Sequence, residues 1–495
     1  MLVSDRYRVR YRLPASARED CLVMGSLTEL RDHGRTWTWL AEMSAERRYD
    51  MAKGRTARVG CGSAYDGDRL DWSVELAQSG VVSYLGFDCL AEATMTLAQM
   101  RRVLDPSAGF AHNLVPVIQN FGGFVSEGLK IVGNFGGSNT RAAVDTAVRT
   151  FREQGRKGVR VGAVHGDDIR DKAVELDVDL PDLGCRLSEV EEPVVSVNVY
   201  SGAGEVMELL DAGADFVIGG RTADPSLFVA PICYELGWDL SDLQRVAAAT
   251  TVGHLLECGI QVSGGKFANP PRQVVPDPVR IGMPYAEVSD DEVIISKTPG
   301  SGGLVDERTV KLQLGYEIQD PANYITPDTV LDISQTSVEV VGPDRVRVSG
   351  MAGKPRPETL KVLVGLDLGW KVGSELSFGG PGCVEKAQFA QELLAARCAE
   401  FGRDIAASRA DLIGVNSLYG DQLKAAGYPP EVRVRFVARC RTEKAAQAYL
   451  VEAKNLGFSI AAATASSPFI ERFIGVTRAY VPRSAVSLET ELITI

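Results

Sequence analysis

Residues 129–151 read LKIVGNFGGSNTRAAVDTAVRTF, and this stretch decides the fold class. Its first part is largely apolar, as in a strand that is buried on both faces of a sheet. A double glycine follows, with Ser138 and Asn139 after it. Apolar residues then recur at i, i+3, i+4 and i+7, the spacing of an amphipathic helix, at Val144, Ala147, Val148 and Phe151. The stretch therefore predicts a strand, a glycine-rich loop and a helix in succession.

The same order of strand, loop and helix recurs from about residue 56 to about residue 265. Further apolar strands are predicted at 57–61, 81–87, 159–164, 194–199 and 215–220. The last two of these strands, with a helix over 202–212 between them, are expected to form a compact βαβ unit. Apolar strands that alternate with amphipathic helices indicate an α/β fold, with a mostly parallel sheet and helices on both faces.

The pattern changes beyond the proline-rich stretch ANPPRQVVPDP. Short alternating strands and turns are predicted at 292–297, 308–319 and 329–349, and helices at 384–401 and 443–455. EVRVRFVARC (431–440) alternates strictly, as in a strand with one buried face. We therefore predict three parts: an N-terminal extension over 1–55 with a helical piece at 37–49, an α/β domain over 56–275, and an α+β domain with antiparallel strands over 276–495.

The composition argues against several classes of protein. The 495 residues include 53 Lys and Arg against 65 Asp and Glu, for a net charge of −12. Nucleic acids and anionic membranes attract basic proteins, so we expect neither as a partner. The sequence shows neither a secretion signal nor an apolar run long enough to cross a membrane. Its nine cysteines lack the paired spacing of zinc sites. We expect a cytoplasmic protein with reduced cysteines.

Polar residues gather at the ends of the predicted strands, which is where parallel sheets bind ligands. Free amides of glycine-rich loops can hold a carboxylate or phosphate there. The predicted substrate-binding residues after the first strand are Gly62, Ser63, Asp66, Asp68 and Arg69, and those after the third are Asn134, Gly136, Gly137, Ser138 and Asn139. The alternatives are a tight turn with Asx caps for the first loop and helix capping for the second.

Later loops add to the predicted substrate-binding set. Arg221 offers a planar fork for a carboxylate or phosphate. Asp224 stands beside it, with the alternative that it caps a helix over 225–236. Lys266 is a possible partner for an anionic ligand, and a flexible loop contributes Ser301, Gly302 and Gly303.

Two clusters contain the candidate catalytic residues. His165, Asp167 and Asp168 follow the fourth strand, where they suit general acid–base chemistry or a divalent metal. His254 and Glu257 are one helical turn apart, which suits a proton relay or two metal ligands, and Cys258 lies on the same face. The alternatives are structural, namely a helix cap in the first cluster and a buried cysteine in the second. No metal ligand is assigned.

Taken in order, these clusters resemble the acyclic terpene utilisation (AtuA) family, a bacterial group. The resemblance covers residues 57 to about 375, and more weakly extends to 490. It rests on several collinear motifs, which include GCGSAYDGDRLD, YLGFDCLAEATMTLAQ, KIVGNFGGSN, VHGDD and GADFVIGGRTADPSL. The resemblance implies a gene that lies beside those for acyl-CoA carboxylases, dehydrogenases and enoyl-CoA hydratases. It also implies a small partner, which here would be a separate, co-encoded chain.

The sequence departs from the family pattern at several positions. Asp88 stands where the family usually has Glu, and Ala93 stands where it usually has Arg. The third strand end reads Gly-Asn-Phe-Gly over 133–136 instead of Thr-Asn-Ala-Gly. Phe135 would narrow a pocket at that position, so the substrate of terpene catabolism should not be transferred to this chain.

These observations lead us to expect an enzyme that acts on a branched or polar carboxylate or its CoA thioester, most simply a lyase of the hydratase or dehydratase type. Arg221 and the loop amides would anchor the anion, and His165 or His254 would serve as base. CoA would enter as part of the substrate, and a divalent metal is left open. The alternatives are a CoA-dependent ligase or acyl transferase, or a non-catalytic subunit of an acyl-CoA enzyme complex. We also expect a homo-oligomer.

Overall fold

The computed structural model describes residues 54–420, 427–461, 463–465 and 468–495. The predicted N-terminal extension over 1–55, including its helical piece at 37–49, therefore lies outside the described residues except for its last two positions. Within the described ranges, no helix is both long and apolar enough to span a membrane.

The first half of the described chain alternates strands and helices, as the sequence predicts. Its strands are β1 (Ala57–Ser63), β2 (Tyr84–Phe87), β3 (Lys130–Gly133), β4 (Arg160–His165), β5 (Asp179–Leu180), β6 (Cys185–Arg186), β7 (Val194–Val199) and β8 (Phe216–Ile218). Its helices are α1 (Asp71–Gln78), α2 (Glu92–Leu104), α3 (Leu114–Ser126), α4 (Thr140–Glu153), α5 (Arg170–Leu176), α6 (Gly204–Asp211), α7 (Ser226–Leu236) and α8 (Leu243–Leu256). Strands β1, β2, β3, β8 and β4 pair in parallel, in that order.

Helices cover both faces of this parallel sheet because each one has an apolar side. On one face α1, α3 and α4 pack over aromatic side chains, among which the rings of Phe135 and Phe216 stack at 5.3 Å. On the other face α6, α7 and α8 bury a second apolar cluster that includes Phe228 and Val252. The predicted α/β class, with a mostly parallel sheet in the first half, is confirmed.

The middle of the chain extends the same sheet with antiparallel strands. The elements here are β9 (Pro284–Val288), β10 (Val293–Lys297), α9 (Glu307–Leu314), β11 (Tyr324–Ile325), β12 (Val330–Asp332), β13 (Ser337–Gly342), β14 (Arg345–Ser349) and β15 (Ala352–Lys354). Strands β9, β10, β14 and β13 follow one another outward from β1. Strands β11, β12 and β15 form a small separate sheet.

The prediction of strands and turns over 308–319 is wrong, because most of this stretch is helix α9. The side chain of Asp306 accepts hydrogen bonds from the amides of Arg308 and Thr309 and so caps the first turn. Val310 and Leu314, four residues apart, are buried, whereas Leu312 is exposed. The buried apolar residues of this stretch are therefore spaced as in a helix, although the sequence alternates as in a strand.

The last part of the chain forms a second, fully antiparallel sheet. Its elements are β16 (Thr359–Gly379), α10 (Cys383–Cys398), β17 (Ile405–Ile413), β18 (Glu431–Cys440), α11 (Glu443–Ser459), β19 (Ala463–Ala465), β20 (Phe469–Pro482) and β21 (Glu489–Thr494). The long strand β16 is central and pairs with β7, β18, β19 and β20, whereas β21 returns to the first sheet beside β4. The alternation predicted for β18 is confirmed, since Val432, Val434, Phe436 and Ala438 are all buried.

The predicted βαβ unit over 194–220 is wrong. Strand β7 pairs antiparallel with β16 in the second sheet, because β3 and β4 already occupy both sides of β8. Val197 and Val199 are thereby buried with Val362 and Val364. The chain thus crosses between sheets, and the loops after β7 and β8 meet where the Ser201 amide donates to the Arg221 carbonyl at 3.1 Å. The domain division at residue 275 stays a prediction.

Candidate functional site

A cavity of about 300 Å³ lies where the loops after β7 and β8 meet the start of β16. Its wall is formed by these loops, by strands β16 and β20 of the second sheet and by the segment around β11. Its polar and aromatic lining residues are Glu92, Tyr200, Arg221, Asp224, Glu317, Tyr324, Thr326, Thr359, Lys361 and Tyr480. Prolines and aliphatic side chains complete the wall at Ala223, Pro225, Ile325, Pro327, Pro357 and Leu360.

Arg221 is the most deeply buried charge of this cavity, with only 1% of its surface exposed. Its Nη1 donates to Asp224 Oδ1 at 2.7 Å and to the Thr222 carbonyl at 3.0 Å. The guanidinium lies 3.9 Å from the centre of the Tyr200 ring. Its Nε has no hydrogen-bond partner among the described residues. A buried N–H without an acceptor is costly.

Lys361 supplies a second cation to the cavity. Its Nζ donates to Glu92 Oε1 at 3.0 Å and lies 4.6 Å from the centre of the Tyr200 ring. The Tyr200 hydroxyl donates to the same Glu92 oxygen at 3.0 Å. Burial raises the pKa of Glu92, but the neighbouring Lys361 outweighs it and holds that pKa at about 2. Glu92 and Lys361 are therefore both charged at neutral pH.

Two buried carboxyl groups, Asp88 and Glu257, stand behind Arg221. Burial raises the pKa of each well above its ordinary value, the charge of Asp224 raises it further, and Arg221 partly opposes this. Asp88 also accepts hydrogen bonds from the Leu90 amide at 3.0 Å and from the Asn134 side chain at 2.8 Å. Because both carboxyls are held toward the neutral form, they do not cancel the positive charge of Arg221.

His254 and Glu257 touch, as the sequence predicts, with His254 Nδ1 at 3.1 Å from Glu257 Oε1. His254 Nε2 faces the carbonyls of Gln313 and Leu314 at 3.0 and 3.2 Å, so this nitrogen carries a hydrogen. Burial lowers the pKa of His254, which favours a neutral ring whose Nδ1 accepts from a protonated Glu257. The ring centre of Tyr324, a cavity residue, lies 5.2 Å from that of His254. The pair thus lies behind the cavity wall.

Glu257→Gln is expected to make the protein more stable than wild type as the pH rises. The folded-state pKa of Glu257 is raised, so its contribution to stability is present below the ordinary glutamate pKa and is lost as the pH rises through the raised value. A glutamine amide stays neutral and can donate to His254 Nδ1 in place of the acid. We expect an advantage of about 1 kcal/mol or more at alkaline pH and little difference at about pH 5.

Urea denaturation across this pH range measures the difference. Glu307→Gln is the control, because Glu307 is half exposed and pairs with Lys311 on the surface of α9. If Glu257→Gln has a lower free energy of unfolding than wild type, by the same amount at every pH, this result would contradict a protonated Glu257.

The His165 cluster does not come together at the cavity. His165 Nε2 lies 2.9 Å from Glu491 Oε2 on β21, and Asp168 pairs with Arg102 at 3.0 Å. Asp167 is buried and accepts from the Arg221 backbone amide at 3.0 Å and from Asn198 at 3.2 Å. Asp167 therefore positions Arg221, whereas His165 contacts Glu491 and Asp168 contacts Arg102, both away from the cavity. Their catalytic roles stay predictions.

The loop after β1 has the turn-and-cap structure that was the alternative for it. Asp68 accepts from the amides of Ala64 and Arg69, Asp66 accepts from the amide of Asn113, and Arg69 pairs with Asp71. Ser63 is buried and donates to the Asp88 carbonyl at 2.9 Å. A side chain at Gly62 would overlap the ring of Phe87. The predicted substrate-binding residues of this loop do not line the cavity; they are Gly62, Ser63, Asp66, Asp68 and Arg69.

The amides of the loop after β3 already have acceptors, so the structure does not support an anion cradle there. The amides of Gly136, Ser138 and Asn139 donate at 2.8 Å to the carbonyls of Gly219, Gly109 and Gly136, and that of Gly137 donates to Asn134 at 3.4 Å. Asn139 also caps α4 through its side chain. The capping alternative explains this loop. Asn134 contributes differently, because it binds Asp88.

Gly136→Ala tests this packing role. An added Cβ would lie 2.7 Å from the Gly219 carbonyl oxygen and still closer to Thr140, so the loops after β3 and β8 would have to separate. We expect the free energy of unfolding to fall by about 1–3 kcal/mol. The matched control is Gly379→Ala, where a Cβ meets nothing within 4 Å. Chemical denaturation of both variants measures the difference, and equal stability would contradict the close approach.

Some of the remaining predicted binding residues line the cavity and others do not. Asp224 does not cap α7 through its side chain, since its carboxylate instead binds Arg221 in the cavity. Lys266 is exposed and lies over the Tyr316 ring at 3.6 Å. Ser301 donates to the Thr298 carbonyl at 2.5 Å, and the amides of Gly302 and Gly303 donate to carbonyls of the neighbouring loop. Of this group, the structure brings only Arg221 and Asp224 to the cavity.

Sequence reasoning missed most of the cavity lining. Tyr200 directly follows a predicted strand, so its position at a strand end was an available signal. Glu92, Lys361 and Glu317 carried no such signal. Glu92 begins helix α2, Lys361 lies within strand β16, and Glu317 lies in the turn after α9, a helix that the sequence did not predict.

The described residues contain free thiols but no cluster suited to a metal ion. Among the described residues, no group of three His, Cys, Asp or Glu side chains could hold a metal ion. The cysteines in the described ranges are free thiols, at positions 61, 89, 185, 233, 258, 383, 398 and 440. Burial raises the pKa of Cys61 and Cys89 well above the ordinary range, so both stay as neutral thiols.

Comparison with known proteins gives one finding that concerns most of the chain. The model of a family described as "Acyclic terpene utilisation family protein AtuA" matches residues 57–492. The matched range begins with β1 and ends within β21, so it includes both sheets and the whole cavity. No curated protein and no solved structure matches the chain.

Proposed function

The chain belongs to the acyclic terpene utilisation family AtuA, and from this premise we propose that it is an enzyme acting in the cavity around Arg221. The proposed substrate is a branched or polar carboxylate or its CoA thioester. The proposed reaction is the addition or removal of water at a carbon–carbon double bond, as in a hydratase or dehydratase. The observation that carries the proposal is the buried Arg221, whose Nε–H has no protein acceptor in the described chain and which lines the cavity.

Arg221 and Lys361 would hold the carboxylate or thioester carbonyl of the substrate. Removing a proton beside a carbonyl develops negative charge on its oxygen, and cations fixed in a partly water-excluded site stabilise that charge. Asp224 and Tyr200 fix the guanidinium, so little reorganisation is needed during the reaction. Pro225, Ile325 and Leu360 offer apolar wall for a short hydrocarbon chain.

Glu317 is the carboxylate best suited to proton transfer. It lines the cavity from the exposed turn after α9 and makes no hydrogen bond or ion pair among the described residues. Its backbone has φ +62°, a left-handed conformation that residues other than glycine, asparagine and aspartate seldom adopt. The other positive-φ residues of the described chain, apart from glycine, are Asp177, Asp277 and Asp344. Such strain is often retained at functional sites.

The proposed elimination balances with these groups alone. The Glu317 carboxylate removes the proton from the carbon next to the carbonyl, and that electron pair forms the double bond. The bond from the neighbouring carbon to its hydroxyl breaks, and the departing oxygen takes a proton from Glu317, which releases water and restores the carboxylate. Hydration is the same sequence in reverse.

The experiment is a substrate panel assayed with the full-length chain. Branched enoyl and 3-hydroxyacyl compounds, each as CoA thioester and as free acid, are followed by the absorbance of the conjugated double bond. We expect reversible hydration of at least one pair. ATP consumption with a free acid would instead indicate the ligase alternative, and ligand binding without turnover would indicate a non-catalytic subunit. An absence of both turnover and binding across the panel would overturn the proposal.

A further inference from the structure

Arg483 connects two walls of the cavity. Its Nε donates to the Pro357 carbonyl at 2.7 Å, and its Nη2 donates to the Pro327 carbonyl. Both prolines line the cavity, one just before β16 and one just after β11. Among the described residues, Arg483 binds these neutral carbonyl oxygens and has no carboxylate at ion-pair distance. Its charge therefore lacks a direct counter-ion.

A second arginine, Arg356, directly precedes the lining residue Pro357. Its side chain is exposed and makes no hydrogen bond or ion pair within the described part of the chain. Arg483 Nε donates to the carbonyl of Pro357, the residue that directly follows Arg356, so both arginines flank the same lining residue. Burial and, after it, the charge of Arg356 lower the pKa of Arg483. Two like charges beside one lining residue repel each other, and an anion between them would remove the repulsion.

The acidic groups around this pair do not neutralise it directly. Asp328 is buried, and its oxygens are used by the Ala203 amide at 2.8 Å and the Ser226 hydroxyl at 2.6 Å. Burial also raises the pKa of Asp328, which opposes its ionisation. Glu205 and Glu358 influence Arg483 only from beyond ion-pair distance. In a chain with a net charge of −12, two arginines that flank one lining residue and have no carboxylate at ion-pair distance in the described ranges are unexpected.

We propose that Arg356 and Arg483 bind the phosphate groups of a CoA thioester whose acyl end enters the cavity. This inference rests on the proposed function and selects the thioester over the free acid as substrate. Guanidinium groups form paired, charge-assisted hydrogen bonds with phosphate oxygens, and arginine suits this better than lysine does. Arg221 and Lys361 would then face the thioester carbonyl, while Arg356 and Arg483 hold the distant end of the same molecule.

The test is isothermal titration of the full-length chain with CoA, 3′-dephospho-CoA, pantetheine and inorganic pyrophosphate. Arg356→Glu is the main variant, because Arg356 is exposed and its loss breaks no contact of the fold. Arg272→Glu is the matched control, since it makes the same charge change at an exposed arginine whose neighbours in the chain do not line the cavity. We expect Arg356→Glu to weaken the binding of CoA and of pyrophosphate by about tenfold or more and to leave the affinity for pantetheine unchanged.

The control variant should bind every probe within about twofold of wild type. Equal CoA affinity in Arg356→Glu and wild type, or equal affinity of wild type for CoA and pantetheine, would overturn the inference. If free acids are turned over while the phosphates contribute nothing, the proposed function stands and the phosphate site fails. If neither acids nor thioesters bind, both fail.

Discussion

Arg221→Met is expected to lower the free energy of unfolding by about 3–5 kcal/mol and to abolish ligand binding. The side chain is 1% exposed, and its removal leaves the Asp224 carboxylate without its cation. It also removes a positive charge that favours ionisation of Asp88 and Glu257. Urea denaturation at neutral pH measures the loss of stability, and titration with substrate analogues measures the loss of binding.

The chain offers a closely matched control in Arg69→Met. Arg69 also pairs with an aspartate, Asp71, and also lies over an aromatic ring, that of Trp72 at 4.2 Å. Its side chain, however, is 53% exposed, so we expect a much smaller loss of stability than for Arg221→Met. The double variant Arg221→Met/Asp224→Asn should recover part of the loss, because it leaves no unpaired carboxylate at that position. Equal stability of Arg221→Met and Arg69→Met would contradict the burial argument.

Glu317→Gln is expected to lower kcat by about 10²–10⁴-fold and to change the stability by less than about 0.5 kcal/mol. Glutamine keeps the size of the side chain but cannot remove a proton from carbon. No hydrogen bond or ion pair of the described chain is lost, since Glu317 makes none. Steady-state kinetics on the substrate found in the panel measures the effect, and wild-type activity in this variant would remove Glu317 as the base.

A second variant at the same position separates catalysis from folding. Glu317→Gly relieves the left-handed backbone at φ +62°, so we expect it to be more stable than wild type by about 1 kcal/mol and still inactive. A variant that is both more stable and inactive cannot owe its inactivity to misfolding. A variant that is active would remove Glu317 as the base.

The strands and helices that the sequence predicts best are those with a local signal. Strand β18 and helix α4 have clear periodicities, and each apolar position quoted for them is buried or nearly so. Strand β7 has an equally clear apolar pattern, but which sheet it joins depends on β16, which lies far away in the chain. Helix α9 was not predicted because apolar and polar residues in this stretch alternate as in a strand. The capping residue Asp306 was the local signal for a helix.

The same difference between local signals and contacts of distant residues explains which residues of the candidate site could be predicted. Arg221 and Asp224 were identified because they end a parallel strand, and ligand sites collect at such ends. Lys361 reaches the cavity from a strand of the second sheet, and Glu317 reaches it from a turn, so neither position could be inferred without the tertiary contacts. The loop over 136–139 looked like an anion site because glycine-rich sequence does not reveal whether the amides already have acceptors. In the structure they do.

A crystal structure with a bound enoyl or 3-hydroxyacyl ligand tests the central claim most directly. We expect the carboxylate or thioester oxygen to accept a hydrogen bond from the Arg221 guanidinium, with Lys361 close to the same group. A ligand bound instead at the loop over 62–69 or the loop over 136–139, with the Arg221 cavity unoccupied, would contradict it.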